Sequence, residues 1–219
     1  MSLYDVLRDG GEDGGDKLSG VFIGIVTSLN DKEGLGRVKV KFPWRECNDE
    51  SYWARVATMA AGKGRGSYFL PEVEDEVLVA FGNGNIDDPY IIGCLWNGND
   101  KPPVEDSDGK NNIRKIKSRS GHEIIFNDND EKKEEKVEIH SKSGHTIVLD
   151  DSDKKEKITI TDKTGKNKII IDSVKNSLTI ESVEKLKIKS KEIEIEADLG
   201  MKIKAGATLD IQGTLVKIN

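Results

Sequence analysis

Apolar and charged residues alternate along the last hundred residues of the chain, from Ile113 to Asn219. Residues 192–199 read Glu-Ile-Glu-Ile-Glu-Ala-Asp-Leu, and the same two-residue period recurs through most of the region. This period predicts β-strands with one buried and one solvated face. The last proline is Pro103, so the backbone beyond it can form an uninterrupted hydrogen-bond ladder.

An internal repeat opens this region. Residues 118–128 and 141–151 share a Ser-x-Ser-Gly-His motif followed by an apolar run and an acidic turn, at an offset of 23, and residues 164–172 form a looser third copy. Repeats of this size are too thin to fold alone and must stack on one another. Residues 113–177 are therefore predicted to form successive hairpins.

The pattern changes after Ser177. Apolar positions are even-numbered from Leu178 to Ile188, odd-numbered from Ile193 to Leu215, and even again at Ile218. Each change of parity reverses the face that points inward, as a strand winding around a prism would require. Residues 178–219 are accordingly predicted to form a winding shaft, with corner candidates at Gly200, Gly206 and Gly213.

The first half predicts a small all-β domain over residues 20–96. Five strands separated by turn residues, with one long middle connection, are typical of a closed barrel of the OB type. The predicted strands are Val21–Val26, Gly36–Phe42, Tyr52–Ala57, Glu76–Phe81 and Tyr90–Trp96. An acidic, Gly-rich flexible segment (1–19) precedes this domain, and a linker rich in Pro, Gly, Asn and Asp (97–112) follows it.

Aromatic residues are confined almost entirely to the first half. Of the twelve Phe, Trp and Tyr residues, only Phe126 lies beyond residue 111. The second half therefore needs a thin, regular core or a core shared between chains. A monomeric β-solenoid and an intertwined trimeric prism both satisfy its pattern, and the trimer gives the apolar stripe partners from two further chains.

Charge and cysteine content narrow the function classes. Residues 1–110 contain 12 basic and 20 acidic residues, and residues 111–219 contain 22 basic and 20 acidic residues. Neither half therefore has the strongly basic character of a nucleic-acid-binding domain. Cys47 and Cys94 have no zinc-site spacing. The N-terminus lacks the pattern of a secretory signal peptide, and no apolar run could span a membrane, so synthesis in the cytoplasm is expected.

Several stretches then resemble the central spike of contractile injection machines, namely phage baseplate assembly protein V and the C-terminal part of VgrG spikes. They are Gly36–Trp44, Tyr52–Ala57, Phe69–Phe81, Asp88–Gly93, Asn97–Gly98 with Lys101–Pro103, and the Ser-Gly-His repeat. Glu74 stands where a glycine usually precedes Asp-Glu-Val. The resemblance implies an OB-fold collar joined to an intertwined trimeric β-helix needle, placed at the centre of a baseplate below the tube.

The resemblance also implies partners. The hub is expected to be a protein separate from this chain. This chain is not expected to digest the cell wall. Some related spikes hold iron at a His-x-His apex, but this chain has no histidine after His145. A blunt end is therefore expected, with a PAAR-type tip protein docking on Leu215, Val216, Lys217, Ile218 and Asn219.

Other motifs have chemical and structural interpretations. His122 and His145 are weak metal candidates, since a trimer would present each three times; a position beside a turn is the simpler interpretation. No cofactor motif or catalytic constellation emerges, so none is predicted. The remaining candidates are a phosphate loop at Gly62–Gly66, a carboxylate pair at Asp75 and Glu76, and base-stacking aromatics at Trp44, Trp53 and Trp96.

Two functions remain at this point. The first is a structural, membrane-piercing spike of a phage tail, tailocin, extracellular injection system or type VI relative. The alternative is an OB-type module that binds oligonucleotide or oligosaccharide and stands on a β-rich stalk. The native mass distinguishes them, because only the spike requires a trimer.

Overall fold

The computed structural model describes residues 17–45, 50–104 and 109–218. The chain divides into two units, and the boundary along the sequence lies between Gly109 and Lys110. The described part of each unit is built from β-strands, with one 3-10 turn at Gly82–Gly84. This confirms the predicted all-β class. Cys47 and residues 1–16 lie outside the described residues. In the described ranges, no helix has the length and apolar character needed to cross a membrane.

The first unit contains seven strands. These are β1 (Val21–Ser28), β2 (Lys39–Lys41), β3 (Arg55–Val56), β4 (Ala61–Gly62), β5 (Arg65–Gly66), β6 (Glu76–Phe81) and β7 (Pro89–Cys94). Five of them form one sheet in the order β2-β1-β6-β7-β3, in which β3 and β7 are parallel. The strands β4 and β5 form a separate hairpin.

Two antiparallel bridges, Val38 with Ala54 and Lys41 with Glu50, close the five-stranded sheet into a barrel. Val38, just before β2, pairs with Ala54, just before β3, through backbone hydrogen bonds of 3.0 and 2.8 Å in the two directions. The two edge strands of the sheet are thereby joined, which removes the edges that short strands would otherwise expose. The barrel of the OB type predicted from the strand spacing is confirmed.

The barrel core is apolar and closely packed. Its buried side chains are Val26, Val38, Val40, Phe42, Ala54, Val77, Val79, Phe81 and Ile91. Gly24 in β1 also faces inward, where a Cβ atom would lie 3.0 Å from Val79 Cγ2. The barrel wall can come this close only because Gly24 has no side chain. Trp44 packs on the core beside Phe22 and Phe42, with ring centroids 5.1 and 5.4 Å away.

A buried ion pair fixes the loop between β1 and β2. The side chain of Asp31 is only 4% exposed and accepts hydrogen bonds from Arg37 Nε (3.0 Å) and Nη2 (2.8 Å). It also accepts backbone N–H groups of Glu33 and Leu35. These donors, Arg37 foremost, hold the pKa of Asp31 well below its usual range, and Asp31 raises the pKa of Arg37.

The second unit begins with a seven-stranded antiparallel sheet. Its strands are β8 (Ile113–Lys117), β9 (Glu123–Asn127), β10 (Lys136–His140), β11 (Thr146–Asp150), β12 (Lys157–Thr161), β13 (Lys168–Asp172) and β14 (Ser177–Glu181). They lie in chain order, and each neighbouring pair is in register over five residues. The sheet continues one strand past Ser177, because a turn at Asn176 (φ 51°) returns the chain alongside β13.

Residues 182–218 behave differently from this sheet. They contain no assigned strand, and their side chains are exposed in the single chain. The alternating pattern of this segment therefore has no strand partner within the described chain. Of the shaft predicted for residues 178–219, residues 178–181 instead belong to β14 of the antiparallel sheet, and the β-helix beyond them stays a prediction for an assembled protein.

Candidate interaction surfaces

One face of the seven-stranded sheet is almost wholly apolar. The second and fourth residues of each strand point to it, because side chains alternate between faces. Twelve large apolar side chains on this face are between 37% and 64% exposed: Ile116, Ile124, Phe126, Ile139, Ile147, Leu149, Ile158, Ile160, Ile169, Ile171, Leu178 and Ile180. Burying the exposed half of each would contribute about 1 kcal/mol, or on the order of 10 kcal/mol for the face.

The opposite face is mixed: Ile125, Val148 and Ile170 lie among its polar residues, and several of its charged residues are paired with one another. Glu123 lies 3.1 Å from Lys115 Nζ and 3.0 Å from Lys117 Nζ, and these lysines, Lys117 first, lower the pKa of Glu123. Lys168 bridges to Glu181 across β13 and β14 at 3.0 Å. Because these charged residues are paired within the sheet, this face is compatible with exposure to solvent. The apolar face is the one that we expect to be buried against a partner.

The repeated serines and glycines form matching turns at one end of the strands, where β8 connects to β9 and β10 connects to β11. In the first, Ser118 Oγ accepts the backbone N–H of His122 (3.0 Å), and Ser118 N donates to the carbonyl of His122 (2.8 Å). Ser141 and His145 repeat both contacts at 2.9 Å. Gly121 and Gly144 have φ values of 92° and 95°, which favour glycine. The shared motif thus encodes one turn geometry twice.

Each histidine also contacts the neighbouring turn at the same end of the strands. His122 Nδ1 accepts the backbone N–H of Lys142 at 3.3 Å, and His145 Nδ1 accepts that of Lys163 at 3.1 Å. One ring nitrogen of each is therefore engaged in holding adjacent turns together. No three metal-ligating side chains come together within the described residues. Metal binding by His122 and His145 in a trimer stays a prediction.

The third turn makes the same contact with different residues. Asp162 takes the place of the serine, and Asn167 Oδ1 accepts the backbone N–H of Val183 at 3.1 Å, as the histidine nitrogens do in the other turns. Asn167, Thr164 and Lys166 donate to Asp162 and lower its pKa to about 2. The third copy predicted from the sequence, 164–172, contains Asn167 but not Asp162, because this turn is one residue longer and has Asp in place of Ser.

The Gly-rich stretch 62–66 lies in the β4–β5 hairpin. Lys63 and Gly64 form its two-residue turn, and the φ values of Gly64 (67°) and Gly66 (144°) favour glycine. The next element is strand β6, so the stretch lacks the helix N-terminus expected of a phosphate loop. Exposed side chains flank the hairpin, with Met59 88% exposed, followed by Tyr68 and Phe69. These exposed apolar side chains are typical of a surface that contacts another protein.

The predicted carboxylate pair serves two separate structural contacts. Asp75 Oδ2 accepts the backbone N–H of Glu72 at 2.7 Å and so closes a turn. Glu76 Oε2 accepts Asn97 Nδ2 at 3.2 Å. The two carboxylates therefore hold different parts of the barrel.

The three tryptophans have different surroundings. Trp44 packs against the core, whereas Trp96 is exposed. Trp53 stacks with cations, with Lys39 Nζ 5.5 Å and Arg37 Cζ 6.0 Å from its ring centroid. Among the described residues, no ring contact joins any two of the three tryptophans.

The predicted tip-docking residues lie in the segment without strands. Leu215, Val216 and Ile218 are exposed, and Lys217 lies between them. Asn219 lies outside the described residues. A docking role for these five residues stays a prediction.

Comparison with known proteins identifies the barrel. Residues 22–96 match the family described as the type VI secretion system/phage-baseplate injector OB domain. The chain is 34% identical to spike protein VgrG5 of Pseudomonas aeruginosa over 110 residues, 42% of this chain and 14% of that protein. For VgrG4b of the same organism the identity is 37% over 111 residues, with the same shares.

A relative from a second organism gives the same result. VgrG3 of Vibrio cholerae is 39% identical over 82 residues, which cover 36% of this chain and 8% of that protein. The chain thus spans a small part of the length of these curated relatives. The resemblance to spike proteins predicted from the motifs is confirmed.

Proposed function

We propose that this chain, which carries the injector OB domain of type VI secretion systems and phage baseplates, is the structural central spike of a contractile injection machine. The spike stands at the centre of the baseplate below the tube and is driven through a target envelope. The observation that carries the proposal is the apolar face of the seven-stranded sheet, which belongs to a chain with this OB domain.

The apolar face is the argument for a homotrimer. A free apolar surface of this extent is unusual on a monomer, and the edge strands β8 and β14 offer unpaired backbone groups to further chains. Three copies can cover each other's faces and supply strand partners to residues 182–218. The resulting shaft is an intertwined β-helix, and its unfolding requires the strand ladders of all three chains to break together.

The remaining exposed surfaces are assigned to partners of the baseplate. The β4–β5 hairpin with Met59, Tyr68 and Phe69 contacts the neighbouring OB domain or a separate hub protein. The end of the shaft at Leu215–Asn219 receives a PAAR-type tip protein. Asp75 and Glu76, already engaged in structural contacts, are assigned no catalytic role, and the role proposed for the spike is mechanical.

The native mass and one pair of variants test the proposal. Light scattering of the full chain is expected to give three times 24.2 kDa. Leu149→Lys places a charge on the apolar face and is expected to abolish the trimer. Thr146→Lys places the same charge on the polar face of the same strand and is expected to preserve it.

Two outcomes contradict the proposal. A monomeric wild-type chain would exclude the trimeric spike. A monomer that also binds oligonucleotide in a salt-dependent manner would favour the alternative OB-type binding module.

A further inference from the structure

The charged side chains of the segment without strands are grouped by sign. Lysine occupies every odd position from Lys185 to Lys191, and an acidic residue occupies every even position from Glu192 to Asp198. Two further lysines, Lys202 and Lys204, follow. We call these stretches the first basic segment (185–191), the acidic segment (192–198) and the second basic segment (202–204). All of their charged side chains are exposed in the single chain.

We propose that these segments set the register in which copies of the chain associate. The acidic segment of one copy lies between the first basic segment of a second copy and the second basic segment of a third. This inference rests on the proposed trimeric spike and specifies which stretches of its shaft are neighbours.

The seven-stranded sheet of the same chain already follows this rule. In one row across strands β10 to β13 the sign of the charge alternates, and the paired residues are Lys136, Asp150, Lys157 and Asp172. At the other end of the strands, Lys168 lies 3.0 Å from Glu181, its partner on β14. Opposite charges on directly paired strand residues stabilise a sheet, whereas like charges destabilise it. The acidic segment is therefore expected to pair with a basic one.

The first basic segment and the acidic segment are poorly suited to pair within one copy. They adjoin at Lys191 and Glu192, so their pairing would require a tight hairpin turn. Residues 184–197 contain no Gly, Asn, Asp or Pro, which are the residues that favour such turns. By contrast, every turn between strands of the sheet contains a residue with a positive φ: Gly121, Lys133, Gly144, Lys154, Gly165 and Asn176.

Threefold symmetry places different segments beside each other on each face of the shaft. The three copies of any one segment are related by rotation about the axis and therefore lie on three different faces. Each segment is predicted to span one face, with corners between Ile188 and Ile193, where the parity changes, and at Gly200. Successive strands on a face then come from different copies, and their outward charges follow the order positive, negative, positive.

Charge reversal in the full chain tests this register. The acidic-segment variant (Glu192→Lys, Glu194→Lys, Glu196→Lys and Asp198→Lys) places three basic strands side by side on each face. We expect the urea concentration at which half of the trimer dissociates, measured by sedimentation velocity at low salt, to fall by about 1 M or more. The difference should shrink in about 1 M salt, which screens the repulsion.

A second variant provides the matched control. It combines the same four substitutions with Lys→Glu at the six lysines of the two basic segments, so that every sign is reversed and the alternation between neighbouring strands is restored. The dissociation midpoint is expected to return to within about 0.5 M urea of the wild-type value, because each cross-strand pair is again of opposite charge.

Cross-linking identifies the neighbouring segments directly. A carbodiimide joins a carboxylate to an amine when the two groups are in contact. Trimers refolded from a mixture of isotope-labelled and unlabelled chains distinguish links between copies from links within one copy. We expect links between copies that join the acidic segment to both basic segments.

Three outcomes would overturn the proposed register and leave the trimeric spike intact. They are a trimer unaffected by the acidic-segment variant, a trimer that stays weakened when every sign is reversed, and cross-links formed only within single copies. A monomeric wild-type chain would instead contradict the proposed spike, and the register would fall with it.

Discussion

Glu74 has a backbone conformation that favours glycine. Its φ is 75°, and it occupies the third position of a turn that is closed by a hydrogen bond from Asp75 N to the Glu72 carbonyl (3.1 Å). A positive φ at this position is typical of a type II turn, in which glycine predominates. The variant Glu74→Gly therefore removes a strained side chain.

The expected gain is the difference of three effects. A non-glycine residue in the left-handed region costs about 1–2 kcal/mol. Glycine costs about 0.5–1 kcal/mol through the greater freedom of the unfolded chain. The ion pair between Glu74 and Lys41 spans 3.9 Å with both side chains exposed, so its loss costs only a few tenths of a kcal/mol, that is ~0.3. We expect Glu74→Gly to raise the free energy of unfolding by about 0.5 kcal/mol.

Tryptophan fluorescence during urea unfolding provides the assay. Trp44, Trp53 and Trp96 all lie in the first unit, so the signal reports the barrel and not the seven-stranded sheet. The control is Glu74→Ala, which removes the ion pair and keeps the strained backbone, and is expected to stay within about 0.5 kcal/mol of the wild type. A stability loss in both variants would refute the argument, because the side chain of Glu74 would then matter more than its backbone conformation.

Three further substitutions test other contacts. Gly24→Ala forces a methyl group against Val79 and is expected to lower barrel stability by about 1–3 kcal/mol, measured by the same unfolding assay. Asp31→Asn removes the charge beside Arg37 and is expected to destabilise the barrel at pH 7. Since the pKa of Asp31 is lowered in the folded protein, the deficit should shrink as the pH falls below about 4 in urea titrations. Asp162→Ala removes the acceptor at the centre of the third turn, so amide exchange in residues 163–167 should accelerate at neutral pH.

The sequence was most informative where one physical rule dominates. Strands β9 to β13 follow from alternation alone, because a one-residue shift would place every charge of a strand on the apolar face. The barrel was harder to bound. Of the predicted strand Gly36–Phe42, only Lys39–Lys41 is an assigned strand, because the pairing with β1 shifts register between Val26 and Ser28 and Val38 pairs with Ala54 instead.

Other features lay beyond what the pattern could determine. The acceptor role of His122 and His145 depends on the distance between neighbouring turns, which no local motif specifies. Asp162 was missed because an extra residue shifts the third turn out of alignment. The shaft over 178–219 alternates as strands do, but alternation does not say which chain supplies the partner strand.

The uniform register of the second unit has a consequence for how such proteins change length. Each repeat contributes two strands that pair without bulges, and the offset between copies is 23 residues. Removing residues 119–141 would join Ser118 to Lys142 and bring β11 beside β8 in the phase that β9 now occupies. Whole modules can thus be lost or duplicated without disturbing which residues face the apolar side. Each module gained or lost changes the width of the sheet, measured across its strands, by about 10 Å, twice the spacing between strands. The width of the sheet can therefore change in equal steps.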